Sequence, residues 1–377
     1  MPIYNLYDIQ SGVKNNLEAL TKDAFDYILE KIESNIEPLR GKFPHVSKNG
    51  FWETKENTSD DFWTLGFWPG MLWLAYMETK NKKYEKLAYA WMHLLEHRKN
   101  DSDHDLGFVF YPSFVKGYEL TGDIHLRNVA LIAADSLLSL FNPKSNFIQT
   151  RLKERGIAAI DTMMNLFLLW WAYEETKDKR YYDAAFKHSV ATMKNLVRDD
   201  GSTVHAVKFD PMTGEIIRKF TLQGYSDTSC WSRGQSWAIY GFIVAYEKTK
   251  YDDFLITAKR VADYLISHLP DDYIPYWDFN DPEIPNAVKD SSAASIAASA
   301  LLDLVRFVKE KAVAIRYRKT ASKILQSLTK NYLAKDKNKP GILIHGCLDK
   351  PMGLGIDGCT IFGDYYYMEA LTKVIRG

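Results

Sequence analysis

Tyr173-Glu-Glu-Thr176-Lys-Asp-Lys-Arg-Tyr181 is one of four versions of a single short phrase in this chain. The others are Tyr76-Met-Glu-Thr79-Lys-Asn-Lys-Lys-Tyr84, Tyr118-Glu-Leu-Thr121-Gly-Asp-Ile-His-Leu126 and Tyr246-Glu-Lys-Thr249-Lys-Tyr-Asp-Asp-Phe254. Each places Tyr three residues before Thr and an apolar residue five after it. Helical periodicity runs up to the phrase and resumes beyond it, so the phrase reads as one helix ending, a tight polar turn and a second helix docking back antiparallel. Recurrence at intervals of tens of residues means stacked supersecondary units.

Working outward from these turns, apolar periodicity and end signals predict about twelve helices. They fall near residues 18 to 38, 65 to 79, 83 to 98, 107 to 121, 124 to 141, 159 to 176, 179 to 198, 232 to 249, 252 to 268, 291 to 309, 314 to 334 and 362 to 375. The even-numbered ones are apolar nearly all round, as in Ser291-Ser-Ala-Ala-Ser-Ile-Ala-Ala-Ser-Ala-Leu-Leu302, whereas odd ones such as Tyr181 to Leu196 are amphipathic. Helices apolar on every side are buried and amphipathic ones cover them. The expectation is an all-α fold, an (α/α)6 barrel of alternating inner and outer helices, forming one domain over residues 1–377 without a linker.

Composition narrows the function classes. With 377 residues, 46% hydrophobic and 25% charged, the chain reads as soluble and globular. Lys+Arg and Asp+Glu balance at 48 each, so no global field favours nucleic acid or an anionic membrane. Its longest apolar run, near 162 to 173, is short of the roughly 20 residues that span a bilayer. Three cysteines, Cys230, Cys347 and Cys359, form neither a close-spaced metal pair nor an even disulfide set, which points to a reducing compartment. The N-terminal Met-Pro-Ile-Tyr-Asn-Leu lacks a secretion signal's basic start and apolar core. Cytoplasm is therefore the expected location, with a monomer or weak homo-oligomer as the expected state. Aromatic residues make up 14% of the chain and cluster beside Gly, Asp and Arg, as they do in sugar-binding clefts.

The unusual residues gather at the predicted starts of the inner helices, which open on one face. Helix two begins Asp60-Asp-Phe-Trp63-Thr-Leu-Gly-Phe-Trp68, and helix four Asp103-His104-Asp105-Leu-Gly107. Helix six carries Asp161 in its first turn, inside the apolar stretch from Gly156 to Tyr173. Helix eight begins Trp231-Ser-Arg233-Gly-Gln-Ser-Trp237, helix ten Asp290-Ser-Ser292 and helix twelve Phe362-Gly-Asp364. Asp and Ser at helix starts are ordinary caps, and Asp161 has the plain reading of a cap or a partner for Arg155. Apolar burial would instead raise its pKa and keep it protonated as an acid. A first-turn position opposes this, since the helix dipole favours the anion. Long loops at 199 to 230, with His205 and Gln223, and at 335 to 361, with His345, enter the same face.

The pieces Trp63-Thr-Leu-Gly-Phe-Trp-Pro-Gly70, His104-Asp-Leu-Gly-Phe108, Ile160-Asp161-Thr-Met-Met-Asn165, Trp231-Ser-Arg-Gly-Gln-Ser-Trp237, Tyr276-Trp-Asp-Phe279, Asp290-Ser-Ser-Ala293 and Gly363-Asp-Tyr-Tyr-Tyr367 resemble the unsaturated glucuronyl hydrolases, glycoside hydrolase family 88. They run in order from about residue 42 to the C-terminus. The resemblance implies hydrolysis of the 4,5-unsaturated uronic acid that polysaccharide lyases leave on the non-reducing end of glycosaminoglycan di- and oligosaccharides. It implies Asp161 as acid/base and Asp105 as a second essential carboxylate. It also implies His104, His205, Gln223, Arg233 and Trp237 as substrate-binding residues, with Trp63 and Trp231 as aromatic walls and Arg233 pairing with the uronate. No metal or organic cofactor is implied.

Two stretches depart from the family. A Ser-x-x-Ser-x-Lys arrangement that some members use for sulfated units is replaced here by Asp349-Lys-Pro-Met352-Gly-Leu354. An aromatic expected upstream of Asp161 is replaced in Ile148-Gln149-Thr150-Arg151. Other readings are an unsaturated rhamnogalacturonyl hydrolase, a sugar epimerase working through His104 and His205, and a non-catalytic glycan-binding toroid. The metalloprotease-like His93-Leu-Leu-Glu-His97 falls near the end of an outer helix, where His suits the dipole and no third ligand is evident.

Overall fold

The polar phrases are built as their residue order dictates. After each Thr the backbone turns left-handed, with φ +57° at Lys80, +73° at Gly122, +61° at Lys177 and +55° at Lys250. Each of these residues sends its N–H back to the Tyr carbonyl at 2.8 Å, closing the helix. The Thr hydroxyl staples the turn. Thr176 donates to Ala172 O at 2.7 Å and accepts from Asp178 N at 3.1 Å. Asp178 then caps the next helix by accepting from Arg180 N at 2.9 Å. Asn81 and Asp123 cap in the same way, whereas the fourth phrase has Tyr251 there and no side-chain cap.

In this computed structural model the described residues are 6–55, 62–150, 155–336 and 339–376. Asp60, Asp61 and Arg151 lie outside them. Twelve helices follow in order: α1 Leu6–Ile36, α2 Phe67–Thr79, α3 Lys82–Leu95, α4 from Leu106 to Thr121, α5 Ile124–Leu138 and α6 Thr162–Thr176. After these come α7 Lys179–Leu196, α8 Ser232–Thr249, α9 Asp252–Ser267, α10 Ser291–Val305, α11 Lys311–Asn331 and α12 Ile361–Arg376. α4 is interrupted by a wide π turn at Tyr111–Val115, where Pro112 has no N–H to give a regular ladder. The first helix is longer than expected and several others shorter by a few residues.

The even-numbered helices close a ring: each packs on the next, and α12 returns to α2. Odd helices lie outside them, with α3 on α2, α7 on α6, α9 on α8 and α11 on α10. One contiguous set of buried apolar side chains runs from α1 through α12. The chain is thus the expected (α/α)6 barrel.

Short antiparallel strands, absent from the sequence expectation, occupy the loops at the ring's mouth. They are β1 Phe43–Lys48 with β2 Phe51–Lys55, β3 Phe141–Asn142 with β4 Phe147–Ile148, a β5 Ile157–Ala159, β6 Ala206–Phe209, β7 Ile216–Phe220 sheet, and β8 Gly346–Asp349 with β9 Leu354–Gly358. The apolar run from Ile157 is therefore strand, not the start of the sixth helix. Its register sets Ala159 against Ala206, and Ile160 N bonds to His205 O at 2.9 Å. That pairing brings His205 beside the residue preceding Asp161.

Candidate active site

Asp161 occupies the junction between β5 and α6. It is the N-cap residue, yet its side chain makes no capping hydrogen bond, and its Oδ1 is buried without a hydrogen-bond partner among the described residues. The cap reading and the Arg155 pairing are thereby set aside. A buried oxygen left open is a group held for something else.

Facing it is the loop into α4. His104 Nε2 lies 4.0 Å from Asp161 Oδ1 and 3.6 Å from Asp105 Oδ1, and His104 Nδ1 is 3.4 Å from Asp103 Oδ1. Behind this row, Arg98 donates to Asp103 and Asp101. Asn165, on α6, donates from Nδ2 to Asp105 Oδ1 at 3.1 Å. Asp103, His104 and Asp105 offer ligand atoms within 4.8 Å of one another. Their carboxylates already serve Arg98 and Asn165, which suits a charge-balanced acid/base site better than a cation cage.

Electrostatics follows from this crowding. Burial opposes a charged His104, but Asp105 foremost, then Asp103 and Asp161, outweigh it and raise its pKa to about 9. Burial likewise pushes the Asp161 carboxyl up. His104, Arg233 and the Thr162 and Asp161 amides pull the other way without reversing it. Helix dipole and cations thus temper, but do not cancel, the effect of burial.

Across the mouth, His205 Nδ1 accepts from the amides of Leu222 and Gln223 at 3.2 Å each. An accepting Nδ1 places the ring proton on Nε2. Burial, with Arg233 second, lowers this imidazole to about 3, so it stays neutral. Its ring stacks on Trp231 at 4.4 Å between centroids.

The structure separates the expected binding residues into two groups. Trp63 is half-buried and tilted against Phe362 at 4.8 Å and Phe108 at 5.0 Å. His104 faces Asp161, His205 pairs through its backbone with the preceding Ile160, and Gln223 joins His205 to Arg233. By contrast, Trp237 is 1% exposed and packs among Trp63, Phe108 and Tyr366. Trp231 is 4% exposed, with His205 and the Arg233 guanidinium already on its ring. Neither indole is an open wall.

Arg233 is held on several sides by the protein itself. It donates to Asp290, to the carbonyls of Cys347 and Leu348, and at 3.4 Å to Gln223 Oε1. Both Nη groups of Arg233 are thus engaged, and its buried Nε has no partner among the described residues. Its work is to bolt β8 to the starts of α8 and α10 and to place positive charge near Asp161 and His205. Asp349, on β8, reaches Gln223 Nε2 at 3.4 Å and caps its own turn by accepting from Met352 N. Lys350 turns away to Asp281 and Glu283.

Sequence reasoning did not single out Asp103, Arg98 or Asn165. For Asn165 a signal was present: four residues beyond Asp161, it shares a helix face with it. Glu96 of the metalloprotease-like motif is instead held by His125 at 2.9 Å and Lys99 at 2.8 Å. No helix among the described residues is long and apolar enough to cross a membrane.

Comparison with known proteins gives a consistent picture. The family model Glycosyl Hydrolase Family 88 matches residues 16–375. An unsaturated chondroitin disaccharide hydrolase of Streptococcus pneumoniae is 36% identical over 375 residues, covering 95% of this chain and 93% of that protein. The crystal structure of the unsaturated glucuronyl hydrolase of Bacillus sp. GL1, responsible for glycosaminoglycan degradation, superposes with a TM-score of 0.90 at 34% identity over 95% of this chain and 97% of that one. An unsaturated glucuronyl hydrolase specific for heparin superposes with a TM-score of 0.88 at 33% identity over 96% and 97%.

Proposed function

Since the chain belongs to glycosyl hydrolase family 88, we propose that it removes the 4,5-unsaturated uronic acid from the non-reducing end of lyase-generated glycosaminoglycan di- and oligosaccharides. The observation that carries this reading is the Oδ1 of Asp161, buried without a hydrogen-bond partner among the described residues beside His104, whose Nε2 also faces Asp105.

That sugar contains a vinyl ether, and one proton starts its hydrolysis. Asp161, whose carboxyl burial pushes up, gives its proton to C4; positive charge develops at C5 and is shared by the ring oxygen. The resulting Asp161 carboxylate, stabilised by His104, takes a proton from water as its oxygen bonds to C5. This regenerates the acid and leaves a hemiketal at C5. The hemiketal opens by cleavage of the bond between C5 and the ring oxygen, giving a ketone at C5 and a hemiacetal at C1; the hemiacetal collapses to an aldehyde as its C1–O bond breaks and the neighbouring sugar leaves as an alcohol. A single acid/base serves in succession, in place of the two carboxylates that usually flank a glycosidic bond.

The remaining side chains divide the binding. Trp63 supports a sugar face, as aromatic rings do for the apolar side of pyranoses. His205 offers its Nε2–H, and Asp105 accepts from sugar hydroxyls. Asp349 stands beside the binding candidate Gln223, while Lys350 is paired elsewhere. A carboxylate there repels sulfate, so unsulfated units are the preferred substrates.

Unsulfated and sulfated chondroitin, hyaluronan and heparin disaccharides, incubated side by side, test this reading. Loss of the ultraviolet absorbance of the C4=C5 bond reports turnover. The proposal expects loss on at least one of them, fastest without sulfate; none on any of them would overturn it.

A further inference from the structure

We infer that Asn165 is the residue that positions Asp105: its side-chain amide ties the second carboxylate to the helix bearing Asp161. This deepens the reading above and rests on it for its catalytic meaning, though not for its geometry.

Asn165 is fully buried in the first turns of α6. Its Oδ1 accepts from Phe108 N at 2.7 Å, at the start of α4. A backbone N–H can only donate, so the orientation of the amide is settled: Nδ2 faces outward and donates to Asp105 Oδ1 at 3.1 Å. One side chain thereby joins two inner helices and the two carboxylates they carry. The contact requires Gly107, because a Cβ there would sit 2.3 Å from Asn165 Cα and 2.4 Å from its carbonyl oxygen.

Charged and titratable groups also stand in this part of the site. His104 and Asp103 lie on the loop of Asp105, Arg98 reaches Asp103 from the segment after α3, Asp161 stands on α6 and Arg233 on α8. His188, on α7, is buried and feels the charge of His104. Asn165 is a neutral, fully buried donor to Asp105. A donor aimed at a carboxylate favours its ionised form, and ionised Asp105 is the foremost source of the positive charge on His104. Losing the donor therefore weakens Asp105 as an acceptor and loosens the register between the two carboxylates.

Two variants separate positioning from plain packing. Asn165→Asp keeps an oxygen to accept from Phe108 N–H, so the helix contact survives, but it donates to Asp105 only while one proton is shared by the pair. Asn165→Ala removes both bonds. Carbon-13 NMR of the aspartate carboxyls, with the Asp105 signal assigned from the Asp105→Asn spectrum, reads the effect without substrate. The Asp105 midpoint should rise by about one pH unit in Asn165→Ala and further in Asn165→Asp. With an unsaturated disaccharide, Asn165→Asp should retain activity at acidic pH and show its alkaline limb displaced to lower pH. Asn165→Ala should lose kcat by about tenfold or more. An unmoved Asp105 midpoint in both variants, or an Asn165→Asp pH profile superimposable on the wild type, would overturn the inference. If the wild-type protein turns over no unsaturated substrate, the reading of function fails, and the NMR midpoints still decide the role of Asn165.

Discussion

His104 Nε2 stands 4.0 Å from the unpartnered Oδ1 of Asp161. A cation at that distance lowers the pKa of the carboxyl that burial raises, so the pair sets the pH at which the acid works. His104→Gln removes the charge and keeps much of the shape. The alkaline limb of kcat/KM should then move to higher pH, because Asp161 holds its proton longer, while the maximal rate falls through lost stabilisation of the carboxylate. An unmoved or acid-shifted limb would show that His104 does not tune Asp161.

Buried imidazoles also shape stability against pH. His104 has a folded pKa of about 9, above its ordinary value of 6.5, so its contribution is complete below pH 6.5 and is lost as pH rises through 9. His188 and His205 lie at about 3, so their contributions are present above pH 6.5 and are lost as pH falls toward 3. Urea midpoints measured across this range should peak near neutrality and decline on both sides. In His104→Gln the alkaline decline should shrink and the acidic one persist.

Gly107 sets how closely α4 and α6 approach. Gly107→Ala drives a methyl group into the Asn165 backbone, an overpacking that costs about 1–3 kcal/mol and forces the two helices apart. Activity should fall more than stability alone explains, because Asp105 and Asp161 ride on those helices. Thermal melting and kcat on an unsaturated disaccharide, measured together, check this.

The turn phrases allow a separate test of the fold. Gly122 has φ +73° and open space around the position of a Cβ, so Gly122→Ala isolates the backbone cost, roughly 1 kcal/mol. Thr176→Val removes the bonds to Ala172 O and Asp178 N and should cost a similar amount. Both variants should keep wild-type kinetics, since these turns lie at the C-terminal ends of inner helices, opposite the cleft. Altered kcat in either would contradict the independence of the two ends.

The fold was legible because its instructions are local. Thr176 and its three counterparts carry both bonds of their turns within a few residues, and α6 and α8 declare themselves inner helices by being apolar all round. The strand Ile157–Ala159 was not legible, since a short apolar run fits either element and its partner Ala206–Phe209 lies far along the chain. At the site, residue types were readable but directions were not. Nothing in Trp231-Ser-Arg233 reveals that the arginine is consumed by the carbonyls of Cys347 and Leu348, more than a hundred residues away. Asn165 was within reach, because its spacing from Asp161 places both on one face.

The central claim is that Asp161 carries the proton to C4. Asp161→Asn keeps size and shape and removes the acid. Its kcat on the best disaccharide of the panel should fall by roughly 100-fold to 10,000-fold, with the folded state intact by circular dichroism and melting. Wild-type turnover by the folded Asp161→Asn protein would contradict the account.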